Sequence, residues 1–219
     1  MSSASTLSVR VARKAEEATD ICTFELLVLD GATLPSFSAG SHVDVYLPGG
    51  LPRQSSLCND PSATHRYLIA VLLDPASRGG SQAMHAQVQV GQVLQISAPR
   101  NHFGLAHDAR RSLLLAGGIG VTPILCMAER LAQSGADFEM HYCARSADRA
   151  AFVERIRASR FADRVHFHYD DGDAAQKLKL AEVLAGTAAD THLYVCGPGG
   201  FIDFVTQGAT PTDGETRLG

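Results

Sequence analysis

Apolar and polar positions follow two different rhythms along this chain, and the change falls near residue 105. Before it, short runs at Leu7–Ala12, Ile21–Leu29, His42–Leu47, Tyr67–Leu73 and Val93–Ser97 are punctuated by Gly and Pro. His42-Val43-Asp44-Val45-Tyr46-Leu47 alternates polar and apolar residues, the mark of a strand with one wet face. Several such strands separated by turn residues predict a small antiparallel barrel, with one helical segment around Gln82–Val88.

After residue 105 the order becomes strand, helix, strand, helix. Ser112–Ala116 is continuously apolar, as in a strand buried on both faces, and Pro123–Gln133 carries Ile124, Leu125, Ala128, Leu131 and Ala132 on one helical face. Further strands are expected at Phe138–Cys143, Val165–Tyr169 and Leu193–Cys196, and helices at Arg149–Ala158, Leu178–Leu184 and Gly200–Val205. This alternation predicts a parallel sheet with right-handed crossovers, an α/β architecture of the nucleotide-binding kind.

Composition narrows the function. Over 219 residues, 19 Lys+Arg stand against 23 Asp+Glu, a formal charge of −4, so there is no basic excess for a nucleic acid or a membrane surface. The five cysteines, at 22, 58, 126, 143 and 196, are widely spaced and contain no C-x-x-C, which argues against a zinc knuckle or a disulfide framework. Met1–Thr6 lacks the charged and apolar regions of a secretory signal, and Leu113–Ala128 is too short and too glycine-broken to span a bilayer. A cytoplasmic location with reduced thiols is expected.

Four strings carry candidate chemistry. Leu115-Ala116-Gly117-Gly118-Ile119-Gly120-Val121-Thr122-Pro123 ends a buried strand in glycines, with Thr122 suited to cap the next helix and Pro123 to its first position. Free amides at such a helix start commonly face a phosphate, although an ordinary strand-to-helix turn has the same look. Tyr194-Val195-Cys196-Gly197-Pro198-Gly199-Gly200-Phe201 repeats the logic at the last expected strand of this half, with a thiol at its edge. In the first half, Arg53-Gln54-Ser55-Ser56-Leu57 places a cation beside hydroxyls, and Arg78-Gly79-Gly80-Ser81 opens the expected helix as a phosphate nest.

Taken in order, Arg53-x-x-Ser56-Leu57, Arg78-Gly79-Gly80-Ser81, Gly117-Gly118-Ile119-Gly120-Val121-Thr122-Pro123 and Cys196-Gly197-Pro198-Gly199-Gly200-Phe201 resemble the ferredoxin-reductase-like flavoproteins. The likeness is to the branch of phthalate dioxygenase reductases and vanillate demethylase reductases. Phe37-x-Ala39-Gly40-x-His42-Val43 and Pro99-Arg100-Asn101-x-Phe103 look like the same branch. The resemblance implies an antiparallel Greek-key flavin-binding barrel over 1–104 and a parallel-sheet α/β NAD(P)-binding domain over 105–219. It implies an NAD(P)H-dependent flavin oxidoreductase that passes electrons towards an iron–sulfur centre of an aromatic-ring oxygenase or demethylase, through an oxygenase component or a ferredoxin. Arg53, Ser55, Ser56 and Leu57 would line the flavin and Arg78, Gly79, Gly80 and Ser81 its phosphate. Gly118, Thr122, Cys196, Gly197 and Pro198 would face the nicotinamide, and Arg145 and Ser146 the adenosine ribose. Ser56 and Cys196 are the candidate catalytic residues, Cys196 for positioning and not as a nucleophile.

FMN is expected over FAD, because the Arg78–Ser81 nest would end the ligand at one phosphate and no aromatic-bearing loop for an adenine follows it. NADH is expected over NADPH because the branch resembles NADH users, although Arg145 and Arg149 would attract a 2′-phosphate. Two departures stand out. Ser55 occupies the place where the family usually has a tyrosine, and the branch normally continues into a ferredoxin domain whose C-x4-C-x2-C no cysteine here matches. An iron–sulfur cluster is therefore not expected in this chain, and Gly214–Leu218 reads as the approach to a last reductase strand, cut short. A free-standing flavin reductase and a nucleotide-binding module without flavin are the rival readings. His166 and His168 share a strand face without a visible third ligand, so no metal is expected, and Asp170–Asp173 reads as a turn.

Overall fold

The computed structural model describes residues 6–29, 33–47, 52–76, 79–188, 190–209 and, by backbone alone, 216–218. Contacts divide the chain into two units, Met1–Gly104 and Leu105–Gly219.

The first unit builds a curled antiparallel sheet from β1 (Thr6–Ala18), β2 (Ile21–Val28), β3 (His42–Tyr46), β4 (Arg53–Ser56), β5 (Tyr67–Leu72) and β6 (Val93–Ser97), in the order β4-β3-β6-β1-β2-β5. The two edges meet: Leu57 bridges Ile69, and the Cys58 amide donates to the Leu68 carbonyl at 2.9 Å. That closure removes exposed strand edges and makes a barrel. Period-two alternation sends Val9, Val11, Phe24, Leu26, Val43, Val45, Leu57, Ile69 and Ile96 inward, where Met84 and Val88 join them from the helix α1 (Gly80–Gln87) and its end.

β1 runs on to Ala18, well past the expected Ala12, through Arg13, Lys14, Glu16 and Glu17. These residues lack an apolar pattern, yet the strand continues because β2 pairs with it, with register shifts after Val11 and Glu16. A left-handed Asp20 (φ 64) turns the hairpin. Lys14 has a structural task. Its ammonium donates to the His85 and Val88 carbonyls at 2.5 and 3.0 Å, satisfying the end of α1.

The second unit alternates β7 (Arg111–Gly117), α2 (Val121–Ser134), β8 (Asp137–Ala144), α3 (Val153–Arg157), β9 (Val165–Tyr169), α4 (Leu180–Ala185), β10 (Thr191–Cys196), α5 (Gly199–Gly208) and β11 (Thr216–Leu218). The strands are parallel in the order β11-β10-β7-β8-β9. The chain winds outward from β7 to β9 and then returns to β10 on the other side. The topological switch point, where open α/β sheets hold ligands, lies between β7 and β10. Leu113, Leu115, Leu193 and Val195 pack against Leu180, Leu184 and Val205 of α4 and α5, so the sheet centre is dry. Among the described residues no helix is long and apolar enough to cross a membrane.

Two local expectations are corrected. The helix expected over Arg149–Ala158 shrinks to Val153–Arg157, because the buried Phe152 takes a left-handed conformation (φ 63) immediately before it. Thr122 does not cap α2. The helix starts two residues earlier, at Val121 with Gly120 at its N-cap, and the Thr122 hydroxyl donates to the Ile119 carbonyl at 3.0 Å.

Tyr67 offers a test of the barrel. It is fully buried, donates to the Pro35 carbonyl at 2.5 Å and meets Phe37 edge to face at 5.6 Å. Burial pushes its phenol up to about 12. The folded state thus favours the neutral phenol, and this stabilisation is complete below the unfolded pKa of about 10 and is lost as pH rises towards 12. Tyr67→Phe, which removes the hydrogen bond to the Pro35 carbonyl, should cost about 0.5–1.5 kcal/mol at neutral pH in urea unfolding. It should also flatten the fall in stability between pH 10 and pH 12.

Candidate functional site

In the barrel unit, β4 delivers Arg53 to the start of α1. The Gly79 N-cap is left-handed (φ 91) and makes no side-chain cap hydrogen bond. A Cβ on Gly80 would lie 1.5 Å from Arg53 Nε, so only glycine admits the guanidinium here. Arg53 Nε is buried and has no hydrogen-bond partner among the described residues. Sequence positions 53 and 79–80 are thereby brought to one place: a cation against a helix start, with a donor left over. The donor set and the shape fit a phosphate-bearing group. Ser81 straps the loop ahead of it, accepting from the Asp74 amide at 3.2 Å and facing the Asp74 carbonyl at 3.3 Å. Arg78 lies outside the described residues.

Along the same strand, Ser55 is buried opposite Val43, Ser56 is half-buried opposite His42, and Leu57 is wholly buried in the barrel core. A hydroxymethyl group at Ser55 supplies no aromatic face. The strings Phe37–Val43 and Pro99–Phe103 are sewn to each other. His42 and Arg100 exchange backbone hydrogen bonds at 2.9 and 3.0 Å, Asn101 donates to the Ser38 hydroxyl and the Ala39 carbonyl, and Arg100 pairs with Asp44. His42 and His102, which motif reading passed over as site residues, lie 5.5 Å apart beside this seam. Burial, then the Arg100 charge, hold His42 below the usual imidazole range.

In the second unit both glycine turns lie at the switch point and touch each other. Ala116 pairs with Cys196 in the parallel ladder. Beyond them, a Cβ on Gly120 would fall 2.2 Å from the Cys196 carbonyl oxygen, and one on Gly197 would fall 3.0 Å from Gly117 Cα. The Phe201 ring closes the floor, 2.7 Å from a Cβ on Gly117. Gly118 is left-handed (φ 53) and has open space around its missing Cβ. α2 and α5 both start at this edge without a side-chain cap, Pro198 standing at the N-cap of α5. Two helix starts with bare backbone suit a ligand with anionic groups. The Thr122 hydroxyl, by contrast, is turned to backbone, and its side chain is 5% exposed. Burial raises the Cys196 thiol to about 11, which keeps it protonated and unreactive at neutral pH.

After β8, Arg145 is exposed, and the Ser146 hydroxyl donates to the Asp148 carboxylate at 2.5 Å. Asp148 carries no motif signal and was not among the sequence candidates. One sequence expectation is overturned nearby. His166 and His168 do have further partners, because the β8–β9 register sets Glu139 and His141 on their face. Glu139, His141 and His166 bring three ligand atoms within 4.8 Å of one another.

Residues 96–216 match the family model of the dimethylamine monooxygenase subunit DmmA-like N-terminal domain. The vanillate O-demethylase oxidoreductase of Pseudomonas putida is 61% identical over 199 residues, covering 91% of this chain and 62% of that protein. A phthalate 4,5-dioxygenase reductase subunit of Pseudomonas putida is 39% identical over 198 residues, 90% of this chain and 61% of that protein. The chain spans about three fifths of the length of the curated relatives it matches. Among solved structures, phthalate dioxygenase reductase, described as a modular structure for electron transfer from pyridine nucleotides to [2Fe-2S], superposes with a TM-score of 0.90 at 34% identity. That match covers 97% of this chain and 68% of that one.

The glycine contact at the switch point is directly testable. Gly120→Ala drives a methyl into the Cys196 backbone and should cost about 1–3 kcal/mol or more. Gly199→Ala, with nothing within 4 Å, should stay within about 1 kcal/mol of the parent; paired urea melts distinguish the two. Iodoacetamide near pH 8 should label Cys196 only slowly, with the rate climbing towards pH 11 when that peptide is followed by mass spectrometry.

Proposed function

The chain belongs to the phthalate dioxygenase reductase family, and from that premise we propose that it is an NADH-dependent flavin oxidoreductase, the reductase of an aromatic-ring oxygenase or demethylase system. The observation that carries the reading is the Arg53–Gly80 cradle, where the buried Arg53 Nε, without a hydrogen-bond partner among the described residues, meets a helix start without a side-chain cap. In this reading residues 1–104 hold FMN and residues 105–219 hold the nicotinamide nucleotide. FMN, when bound, takes up a hydride's two electrons and gives them out one at a time.

The chain's own residues bind and orient. Arg53 and the amides at Gly79, Gly80 and Ser81, with Arg78, neutralise the FMN phosphate, while Ser55, Ser56 and Leu57 line the isoalloxazine. The cradle suits a terminal monophosphate, which favours FMN over FAD. In the second unit the helix starts above Gly118 and Gly197-Pro198 receive the pyrophosphate and nicotinamide, and the glycines let that ligand approach the backbone. Thr122 acts there by holding the turn through the Ile119 carbonyl. Cys196, kept neutral by burial, is a positioning group at the nicotinamide and not a nucleophile. Arg145 and Ser146 meet the adenosine ribose, and the Asp148 carboxylate behind Ser146 disfavours a 2′-phosphate, which supports NADH. Electrons then go to an iron–sulfur centre, in a ferredoxin or in the oxygenase component. The 61% and 58% identities to vanillate O-demethylase oxidoreductases favour a demethylase of that kind as the terminal acceptor.

Acid release and chromatography should yield FMN, and FAD as the sole species would overturn the cofactor assignment. NADH should bleach the flavin, and ferricyanide should restore its colour. Arg53→Ala should lower FMN affinity at least about tenfold, close to 1.4 kcal/mol, with an unchanged far-UV dichroism spectrum. kcat/KM should favour NADH by about tenfold or more, and the reverse preference would reassign the nucleotide.

A further inference from the structure

The sheet face outside the nucleotide end carries a second constellation. Glu139 and His141 stand two apart on β8, and His166 and His168 two apart on β9. Parallel pairing of His141 with His166 sets all four on one face of the sheet. Glu139 Oε1 lies 3.2 Å from His141 Nε2 and 3.1 Å from His166 Nε2. His141 is 4% exposed, and among the described residues its buried Nε2 faces no polar partner but Glu139 and His166.

The hydrogen-bond chain behind His141 decides what that nitrogen carries. His168 Nδ1 faces the Gln176 carbonyl at 3.2 Å, and a carbonyl only accepts, so Nδ1 bears the proton. In a neutral His168 the other nitrogen, Nε2, is then bare and accepts from His141 Nδ1 at 2.9 Å. With its proton on Nδ1, neutral His141 turns a bare lone pair at Nε2 towards the Glu139 carboxylate. Two acceptors face each other at 3.2 Å, an arrangement that needs a positive centre between them.

We propose that His141 Nε2, His166 Nε2 and Glu139 Oε1 bind a zinc ion. Two imidazoles and one carboxylate with a fourth position open to water form an ordinary zinc donor set. Bonds of about 2.0–2.1 Å in a tetrahedron separate ligand atoms by about 3.3 Å; both spacings from Glu139 Oε1 are close to that, and all three ligand atoms lie within 4.8 Å of one another. The carboxylate is oriented from behind, its Oε2 accepting from Arg111 Nη2 at 2.7 Å, and His141 is oriented by His168. The exposed side of His166 gives the ion a way in. Zinc there clips the edge strand β9 to β8, and through His168 it steadies the segment that carries Gln176.

The full chain, stripped with a chelator and then dialysed, is titrated with zinc alone against a chromophoric competitor. One equivalent per chain should bind, cobalt(II) should give the intense visible bands of a four-coordinate site, and zinc should raise the melting temperature. His166→Ala and Glu139→Gln alter partly exposed side chains and so spare the fold. Each should lower affinity at least about tenfold and abolish the thermal shift. His168→Ala should weaken binding by about 10–100-fold through the lost orientation. His107→Ala, at an exposed histidine outside the cluster, should change nothing. Absence of a zinc equivalent in the parent, or binding indifferent to both His166→Ala and Glu139→Gln, would overturn the site.

Discussion

Everything in the second unit depends on how closely two turns can approach. β7 and β10 are neighbours, and each must end and reverse into a helix at the same edge. Side chains at Gly117, Gly120 and Gly197 would occupy the space that the opposite turn and Phe201 already fill. Their absence brings two uncapped helix starts together over one floor. The same requirement excludes side-chain chemistry from the centre of the site, which leaves backbone amides and helix dipoles as the recognising groups. An architecture of this kind suits the binding and alignment of a cofactor. The raised thiol of Cys196 fits that role.

The barrel solves a similar problem with one charge. Arg53 is half-buried and would be costly to place without partners. Gly80 gives it room and the start of α1 gives it company, but two positive features side by side repel. An anion joining the two would relieve that repulsion. Lys14 secures the opposite end of the same helix by meeting the His85 and Val88 carbonyls, which keeps the N-terminus of α1 fixed against Arg53.

What the sequence makes legible is whatever a local rule decides. Alternation over His42–Leu47 and the apolar run at Ser112–Ala116 located β3 and β7 to within a residue or two, because burial on one face or both leaves its own period. The glycine turns were legible because only close backbone approach makes such runs useful. The polar half of β1 was not legible, since pairing with β2 and not burial extends it. α3 lost its first turn to the left-handed Phe152, a conformation that nothing in the residue type announces. Thr122 shows the limit of cap reading: the residue type was suitable, but a glycine two residues earlier already occupied the place.

The histidine cluster shows why register is the hardest element to read. Glu139-x-His141 and His166-x-His168 each repeat with period two, but only the second pair stood out in the sequence. Their meeting requires that β8 and β9 be adjacent, parallel and aligned so that residue 141 lies beside residue 166. A slip of one residue would turn His166 and His168 to the other face and leave His141 against apolar neighbours. His141 is desolvated in either register, but only in this one do His166 and His168 stand beside it and Glu139 to return stabilisation. A polar group buried where alternatives leave it unpaired discriminates between pairings more sharply than an apolar one. Glu139, held by Arg111 across the β7–β8 step, extends the same selection to the strand at the centre of the sheet.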